Sequence, residues 1–207
     1  DHIIIGLKEL QEDTFPLHHV SVQFAHVFKN QTGWAQTLDR WRRGGGTLLD
    51  LEFLTDEAGR RVAAFGYHAG FAGAALALKT WAWQVAHPKG EAMPGVEYFT
   101  EGRGYYNNEA ELVGQVKEDV GRAVQAGNAP PRTIVIGALG RCGRGAVDML
   151  KKAGLDDEQI LKWDIQETSA KPGPYAEITG CDIFINTIYL MTKIPPFVSM
   201  ESLREAG

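Results

Sequence analysis

The chain has 207 residues, of which 44% are hydrophobic and 23% charged, with a formal net charge of -5 and a pI near 5.7. This length and apolar content suffice for one large domain or two small ones, each with a buried core. The mildly acidic charge gives no electrostatic reason to expect binding to nucleic acid or to anionic membranes, and we expect neither.

Two cysteines, Cys142 and Cys181, are too few for a disulfide framework or a four-ligand zinc site. The adjacent His18 and His19 diverge and have no evident third partner, so no metal is expected. Neither a signal peptide nor an apolar run of about 18 residues is present, which favours a soluble, cytoplasmic protein. Because the chain starts in a strand without methionine and stops within a predicted helix, we expect a fragment of a longer protein.

The first third of the chain predicts part of an α/β domain. Residues 3–6 are apolar throughout, which predicts a strand buried on both faces. Residues 20–24 and 47–53 predict two further strands, and residues 33–43 a helix between them. The arginines near the end of this helix are interpreted as a solvated helix end: Arg40, Arg42 and Arg43.

A long helix is predicted over residues 70–86, where apolar residues recur at helical spacing. Small residues crowd its start, which lets another backbone approach closely. We interpret it as the link between two domains, residues 1–65 and residues 66–207.

The second domain contains the clearest pattern in the chain, a strand, a glycine-rich turn, a helix and a second strand. This order predicts a βαβ unit and a Rossmann-like, doubly wound parallel sheet. The predicted elements are a loop over 88–108, a helix over 109–126, a strand over 132–137, the turn over 138–145, a helix over 146–153, and strands over 159–164 and 182–186.

The turn contains three regularly spaced glycines, Gly137, Gly140 and Gly143, and Asp164 follows 21 residues beyond the last of them. Glycines there let a pyrophosphate approach the backbone amides at a helix start, and the acid would accept hydrogen bonds from the adenosine ribose. No arginine stands at 165–168 to hold a 2′-phosphate, so NAD is favoured over NADP. The alternative is a glycine-rich turn in an α/β domain that binds no nucleotide.

Polar side chains at the strand ends of the first domain suggest proton transfer. Lys8 follows the first strand, His26 the second, and Asp50 and Glu52 are expected on one side of the third. A solvated lysine and a structural histidine remain the alternatives.

Two further features of the sequence have two possible interpretations each. Arg60 and Arg61 either hold an anion or lie on a surface turn. Cys142 is either a small buried residue of the turn or a reactive thiol.

Nine segments follow one another in the order in which a known family has them: residues 3–9, 13–17, 23–26, 50–54, 59–66, 69–76, 136–143, 161–165 and 182–186. In these segments, and so along nearly its whole length, the chain resembles the fungal saccharopine dehydrogenases, which are NAD-dependent, lysine-forming and related to alanine dehydrogenase.

The resemblance implies two Rossmann-like domains and the conversion of saccharopine, NAD and water to lysine, 2-oxoglutarate and NADH. It implies that Lys8 is the general base and His26 the second acid/base group, with Glu9 and Glu52 tuning both. Gln31 and Phe65 would contact saccharopine. The residues implied to contact the dinucleotide are Arg60, Gly140, Arg141, Asp164, Thr168 and Tyr189.

We therefore expect an enzyme with small-molecule substrates, NAD as cofactor and, as a working expectation, a monomeric state. Two alternatives stay open: another amino-acid dehydrogenase of the alanine dehydrogenase group, and a non-catalytic NAD-binding module.

Overall fold

A computed structural model describes residues 2–8, 14–27, 31–188, 190 and 193–207. Two compact units make up the chain, residues 1–65 and residues 66–207. Each unit contains a three-stranded sheet, and every strand pair in both sheets is parallel.

The first unit has the strand order β1-β2-β3, with one helix between the second and third strands. Its register pairs Ile3 with Val20 and Val20 with Thr47. A 3₁₀ turn over Leu51–Phe53 follows the last strand. The elements are β1 (Ile3–Ile5), β2 (Val20–Gln23), α1 (Trp34–Gly44) and β3 (Thr47–Asp50).

The prediction that the first strand is buried is wrong. Ile3, Ile4 and Ile5 are 67%, 43% and 81% exposed. Among the described strands β1 lies at the sheet edge and pairs only with β2.

The third strand is also shorter than predicted, and Asp50 and Glu52 do not share one side of it. The Oδ1 atom of Asp50 accepts a hydrogen bond from the Glu52 amide at 2.9 Å, and this bond turns the chain into the 3₁₀ conformation.

Arg40 is not at a solvated helix end, because its side chain is buried. Its Nε donates to the Phe15 carbonyl at 3.2 Å, and its guanidinium lies 4.7 Å from the centre of the Phe15 ring. Arg42 and Arg43 are solvated, as predicted, and both pair with Asp39.

The second unit has the strand order β5-β4-β6, so its first strand is central and the next two lie on either side of it. Its elements are α2 (Gly66–Ala86), α3 (Val96–Phe99), α4 (Glu109–Gln125), β4 (Thr133–Ile136), α5 (Arg141–Lys152), β5 (Ile160–Trp163), α6 (Ile165–Ala170), α7 (Ala176–Thr179), β6 (Ile183–Asn186) and α8 (Met200–Ala206), with a 3₁₀ turn over Asp157–Gln159.

Helices α2, α4 and α5 cover one core of the second unit, in which Leu78, Val116 and Met149 are fully buried. Lys79 of α2 is buried as well, and its Nζ donates to Gln115 at 2.8 Å and to Asp119 at 2.5 Å on α4. A smaller core, which includes the buried Ile134, Ile136, Tyr175 and Ile178, completes this unit.

Two helices begin earlier than predicted. Helix α2 starts at residue 66 instead of 70, and α5 starts at residue 141 instead of 146. The glycines near the start of α5 were interpreted as turn residues, whereas Gly143 and Gly145 are buried within the helix.

The architecture is therefore α/β with parallel sheets, consistent with the predicted Rossmann-like class. Within the residues that the structure describes, none of the helices combines the length and the apolarity needed to cross a membrane.

Candidate functional site

The turn after β4 is compact, and two of its glycines are sterically required. Gly137 has φ +87, a conformation that L side chains rarely adopt. A β-carbon at Gly143 would stand 2.1 Å from the Gly137 carbonyl oxygen, whereas one at Gly140 would meet only that oxygen, at 3.3 Å. Gly140 is the N-cap of α5 and has no side chain to occupy the amides of the first helical turn.

Asp164 directly follows β5, caps the start of α6 and is hydrogen-bonded to this turn. Its Oδ2 accepts from the Leu139 amide at 2.9 Å and its Oδ1 from the Ile165 amide at 2.9 Å. Its own amide donates to the Glu167 carboxylate at 2.7 Å, which completes a capping box at the start of α6. Because each carboxylate oxygen has two lone pairs, Asp164 keeps acceptor capacity for a ligand hydroxyl.

Thr168 and Arg141 lie beside these groups. The Thr168 hydroxyl donates to the Asp164 carbonyl at 3.0 Å, and Arg141 is the exposed first residue of α5. Tyr189 lies outside the described residues.

Sequence reasoning missed Thr187, which directly follows β6. Its Oγ1 lies 2.8 Å from the Ile136 carbonyl oxygen and 3.0 Å from that of Gly137, so its hydroxyl can donate to either. The signal that could have identified Thr187 was its position directly after a predicted strand, because ligands of parallel α/β sheets bind beyond the carboxyl ends of the strands.

Cys142 is half-buried in the first turn of α5, and burial raises the pKa of its thiol. A raised pKa keeps the thiol protonated at neutral pH, which favours the packing role over the reactive one.

The first unit contains a cavity of about 240 Å³ beyond the carboxyl ends of its strands. Its polar lining combines a lysine, a histidine, a carboxylate and an arginine, and its apolar lining includes an aromatic pair. The lining residues are Leu7, Lys8, Phe24, His26, Glu52, Arg61, Ala64 and Phe65.

The lining of this cavity has a charged part and an aromatic part. The Nη1 atom of Arg61 lies 3.4 Å from Oε1 of Glu52, whose side chain is only 11% exposed. The rings of Phe24 and Phe65 meet edge to face, with centres 5.8 Å apart. The cavity therefore has charged groups next to an apolar wall.

The backbone aims Lys8 and His26 at this cavity. The Phe24 amide donates to the Leu7 carbonyl at 3.2 Å, which extends the β1–β2 pairing up to the residue before Lys8. His26 has φ 52, and the only other described non-glycine residue with a positive φ is Glu101. Such conformations are strained and concentrate at functional sites.

The remaining predicted residues are not among those that line the cavity. Arg60 is 77% exposed, and its Nε lies 2.9 Å from Asp56. The Gln31 carbonyl accepts from the first amide of α1. Glu9 lies outside the described residues.

Among the described residues no group of three histidine, cysteine or acidic side chains is placed to hold a metal ion. His18 instead has its Nδ1 2.6 Å from the Gly44 carbonyl oxygen.

Two parallel α/β units, one with a glycine turn where the strand order reverses, are consistent with the Rossmann-like class of α/β proteins. In that class such a turn is where dinucleotides bind. No family model matches the chain. The chain is 62% identical over 99% of its length to the saccharopine dehydrogenase (NAD(+), L-lysine-forming) of Neurospora crassa. It is 53% identical over 99% to the enzyme of that name from Yarrowia lipolytica and 54% over 98% to that from Emericella nidulans.

The predicted resemblance is thereby confirmed: the chain is similar to fungal, lysine-forming saccharopine dehydrogenases. It spans about half the length of these relatives, between 52% and 53%.

Proposed function

We propose that this chain is the part of an NAD-dependent saccharopine dehydrogenase that carries the proton-transfer groups and the dinucleotide turn. The observation that supports this proposal most directly is one cavity at the strand ends of the first unit, which is lined by Lys8, His26, Glu52 and Arg61. The names of the similar fungal proteins supply the substrate, saccharopine, the coenzyme, NAD(+), and one product, L-lysine. The resemblance implies 2-oxoglutarate as the other product.

In this proposal residues 1–65 form part of a Rossmann-like substrate domain, and residues 66–207 form most of the NAD-binding Rossmann domain. The division follows the two compact units. The parallel strand order in each supports the assignment.

The second unit fits NAD at the turn after β4. Gly137, Gly140 and Gly143 leave the amides at the start of α5 open to a pyrophosphate, and Arg141 lies at their edge. Asp164 would accept a hydrogen bond from the adenosine ribose, and its charge would repel the 2′-phosphate of NADP. Bound there, NAD would supply the acceptor for a hydride.

The groups of the first unit would handle the protons. The secondary amine of saccharopine must be neutral before the carbon bonded to it can give up a hydride, so we assign Lys8 Nζ as the base that removes the proton from this nitrogen. The His26 imidazole would take a proton from the water that adds to the imine carbon and deliver it to the lysine nitrogen as the carbon–nitrogen bond breaks. A positioned proton carrier of this kind contributes about 10²–10⁴-fold to a rate.

The other cavity residues would bind the substrate and balance its charge. Arg61 would hold a substrate carboxylate in the cavity. Phe65 would cover the methylene chain, and Glu52 would offset the cationic charge of lysine. As the resemblance implies, Gln31 would contact saccharopine, and Arg60 and Thr168 would contact the dinucleotide.

The test uses the full-length protein, assayed for NADH formation with saccharopine and with alanine. We expect turnover of saccharopine, and Lys8→Met or His26→Gln is expected to lower kcat about 10²–10⁴-fold. Preference for alanine would indicate a different amino-acid dehydrogenase. Full activity of the double variant would contradict the assigned proton carriers.

A further inference from the structure

The first turns of α2 lie directly against the start of α5, backbone to backbone. A β-carbon built at Gly70 would stand 1.8 Å from the Cys142 carbonyl oxygen and 3.1 Å from the Ala146 nitrogen. A β-carbon at Gly145 would stand 1.9 Å from the Tyr67 carbonyl oxygen. The two helices therefore approach so closely that neither can carry a side chain at these positions.

Side chains hold this contact in place. The Tyr67 hydroxyl donates to the Asp148 carboxylate on α5. Lys152 pairs with the same carboxylate at 3.3 Å and with Glu109 of α4 at 2.5 Å. Of these bonds, the one from Tyr67 joins α2 to α5, and Lys152 contacts its acceptor. A shift of α2 relative to α5 would break that bond, so the closely packed helix pair has little freedom to absorb an added atom.

The carbonyl that Gly70 touches belongs to a peptide group of functional importance. The peptide bond is planar, so the Cys142 oxygen and the Gly143 N–H move as one unit. Gly143 is the third residue of α5, and the first amides of a helix have no intrahelical acceptor. These are the amides that bind a diphosphate at a helix start.

We infer that Gly70 is a positioning residue for the dinucleotide turn. By bringing α2 into contact with the Cys142 carbonyl, it sets the direction of the Gly143 amide. The inference rests on the proposed NAD binding.

The same helix offers a matched control. A β-carbon at Gly73, three residues after Gly70, would have no atom within 4 Å. Alanine is the better helix former, so Gly73→Ala is expected to keep or raise the thermal stability.

The experiment compares Gly70→Ala with Gly73→Ala in the full-length protein, by calorimetric titration with NAD, ADP-ribose and adenosine. For Gly70→Ala we expect the Kd of NAD and of ADP-ribose to rise together by about tenfold, the loss of one charged hydrogen bond. Adenosine has no diphosphate, so its Kd should stay close to that of the unaltered protein. Gly73→Ala should leave all three constants unchanged.

Equal NAD affinity of the two variants, even with a lower stability of Gly70→Ala, would overturn the inference and make the contact one of packing alone. If Gly70→Ala does not fold, hydrogen exchange of the unaltered protein decides. ADP-ribose should then slow exchange of the α2 amides from Tyr67 to Gly73, and no change there would overturn the inference. An unaltered protein that binds no NAD would refute the proposed function itself.

Discussion

His26 combines a strained backbone with a position at the cavity of the first unit. A left-handed conformation at a non-glycine residue costs about 1–3 kcal/mol, which the surrounding fold must offset. If the strained backbone serves to orient the imidazole, the fold gives up this stability in return for a function of His26. The same conformation at Glu101 lies far along the chain, in the loop before α4, and provides a comparison.

We predict that His26→Gly is more stable than His26→Ala by about 1 kcal/mol, because only glycine adopts this φ freely. Urea unfolding measures the difference, and both variants should lose most of the activity. At Glu101 the same pair of substitutions should show the same stability difference while the activity persists. Equal stability of the two His26 variants would show that the backbone there is unstrained.

At the scale of elements, the contact between α2 and α5 contributes stability that is lost in acid. The hydrogen bond from Tyr67 lowers the pKa of the Asp148 carboxyl below its ordinary value of 3.8. A carboxyl with a lowered pKa stabilises the fold above its unfolded pKa, and this contribution is lost as the pH falls through the folded pKa.

We therefore predict that Tyr67→Phe lowers the free energy of unfolding at pH 7 and that its deficit shrinks below about pH 4. Chemical denaturation at several pH values measures it. Tyr98→Phe is the control, because Tyr98 is 68% exposed, and its effect should be small at every pH. A deficit for Tyr67→Phe that is constant with pH would contradict the linkage to Asp148.

Elements with a long, regular pattern could be predicted from the sequence, and local exceptions could not. Apolar spacing placed α2 and α4 within a few residues of their observed bounds. The start of α5 was missed because Gly143 and Gly145 are typical of turns. Within the helix, Gly143 is required by the Gly137 carbonyl oxygen and Gly145 by the approach of α2, and neither contact can be read from the sequence. The short helices α3, α6 and α7 have too few turns to show a periodicity.

The residues of the candidate site could likewise be predicted only in part. Lys8 and His26 could be named because side chains at the ends of parallel strands meet at one edge. Glu52 was named for the wrong reason, since the Asp50 side chain bends the chain out of the strand. Thr187 belongs to no recognisable sequence motif. It contacts Gly137 because β6 pairs with β4, and the sequence does not specify that pairing.

At the scale of the whole chain, the exposed isoleucines of β1 are the clearest departure from an ordinary surface. An apolar strand at a sheet edge is a template for pairing with another chain. Ile5 is 81% exposed, and Leu7 just beyond it is 61% exposed. The 207-residue chain should therefore self-associate through this edge.

We predict that Ile5→Lys reduces light scattering of concentrated solutions of this chain and leaves its stability within about 0.5 kcal/mol. Leu203→Lys is the matched control, because Leu203 is 48% exposed but lies on helix α8, which has no free strand edge. An equal reduction by the two changes would point to overall charge instead of edge pairing.

The two backbone bonds accepted by Asp164 have a consequence for redesign of coenzyme preference. A customary route toward the phosphorylated coenzyme removes this acid and adds a cation. Here removal would also release the Leu139 amide and the first amide of α6. The turn proposed to bind the diphosphate would then lose order together with the proposed contact to the ribose. A successful switch would keep an uncharged oxygen at position 164, such as asparagine, and place the new cation elsewhere.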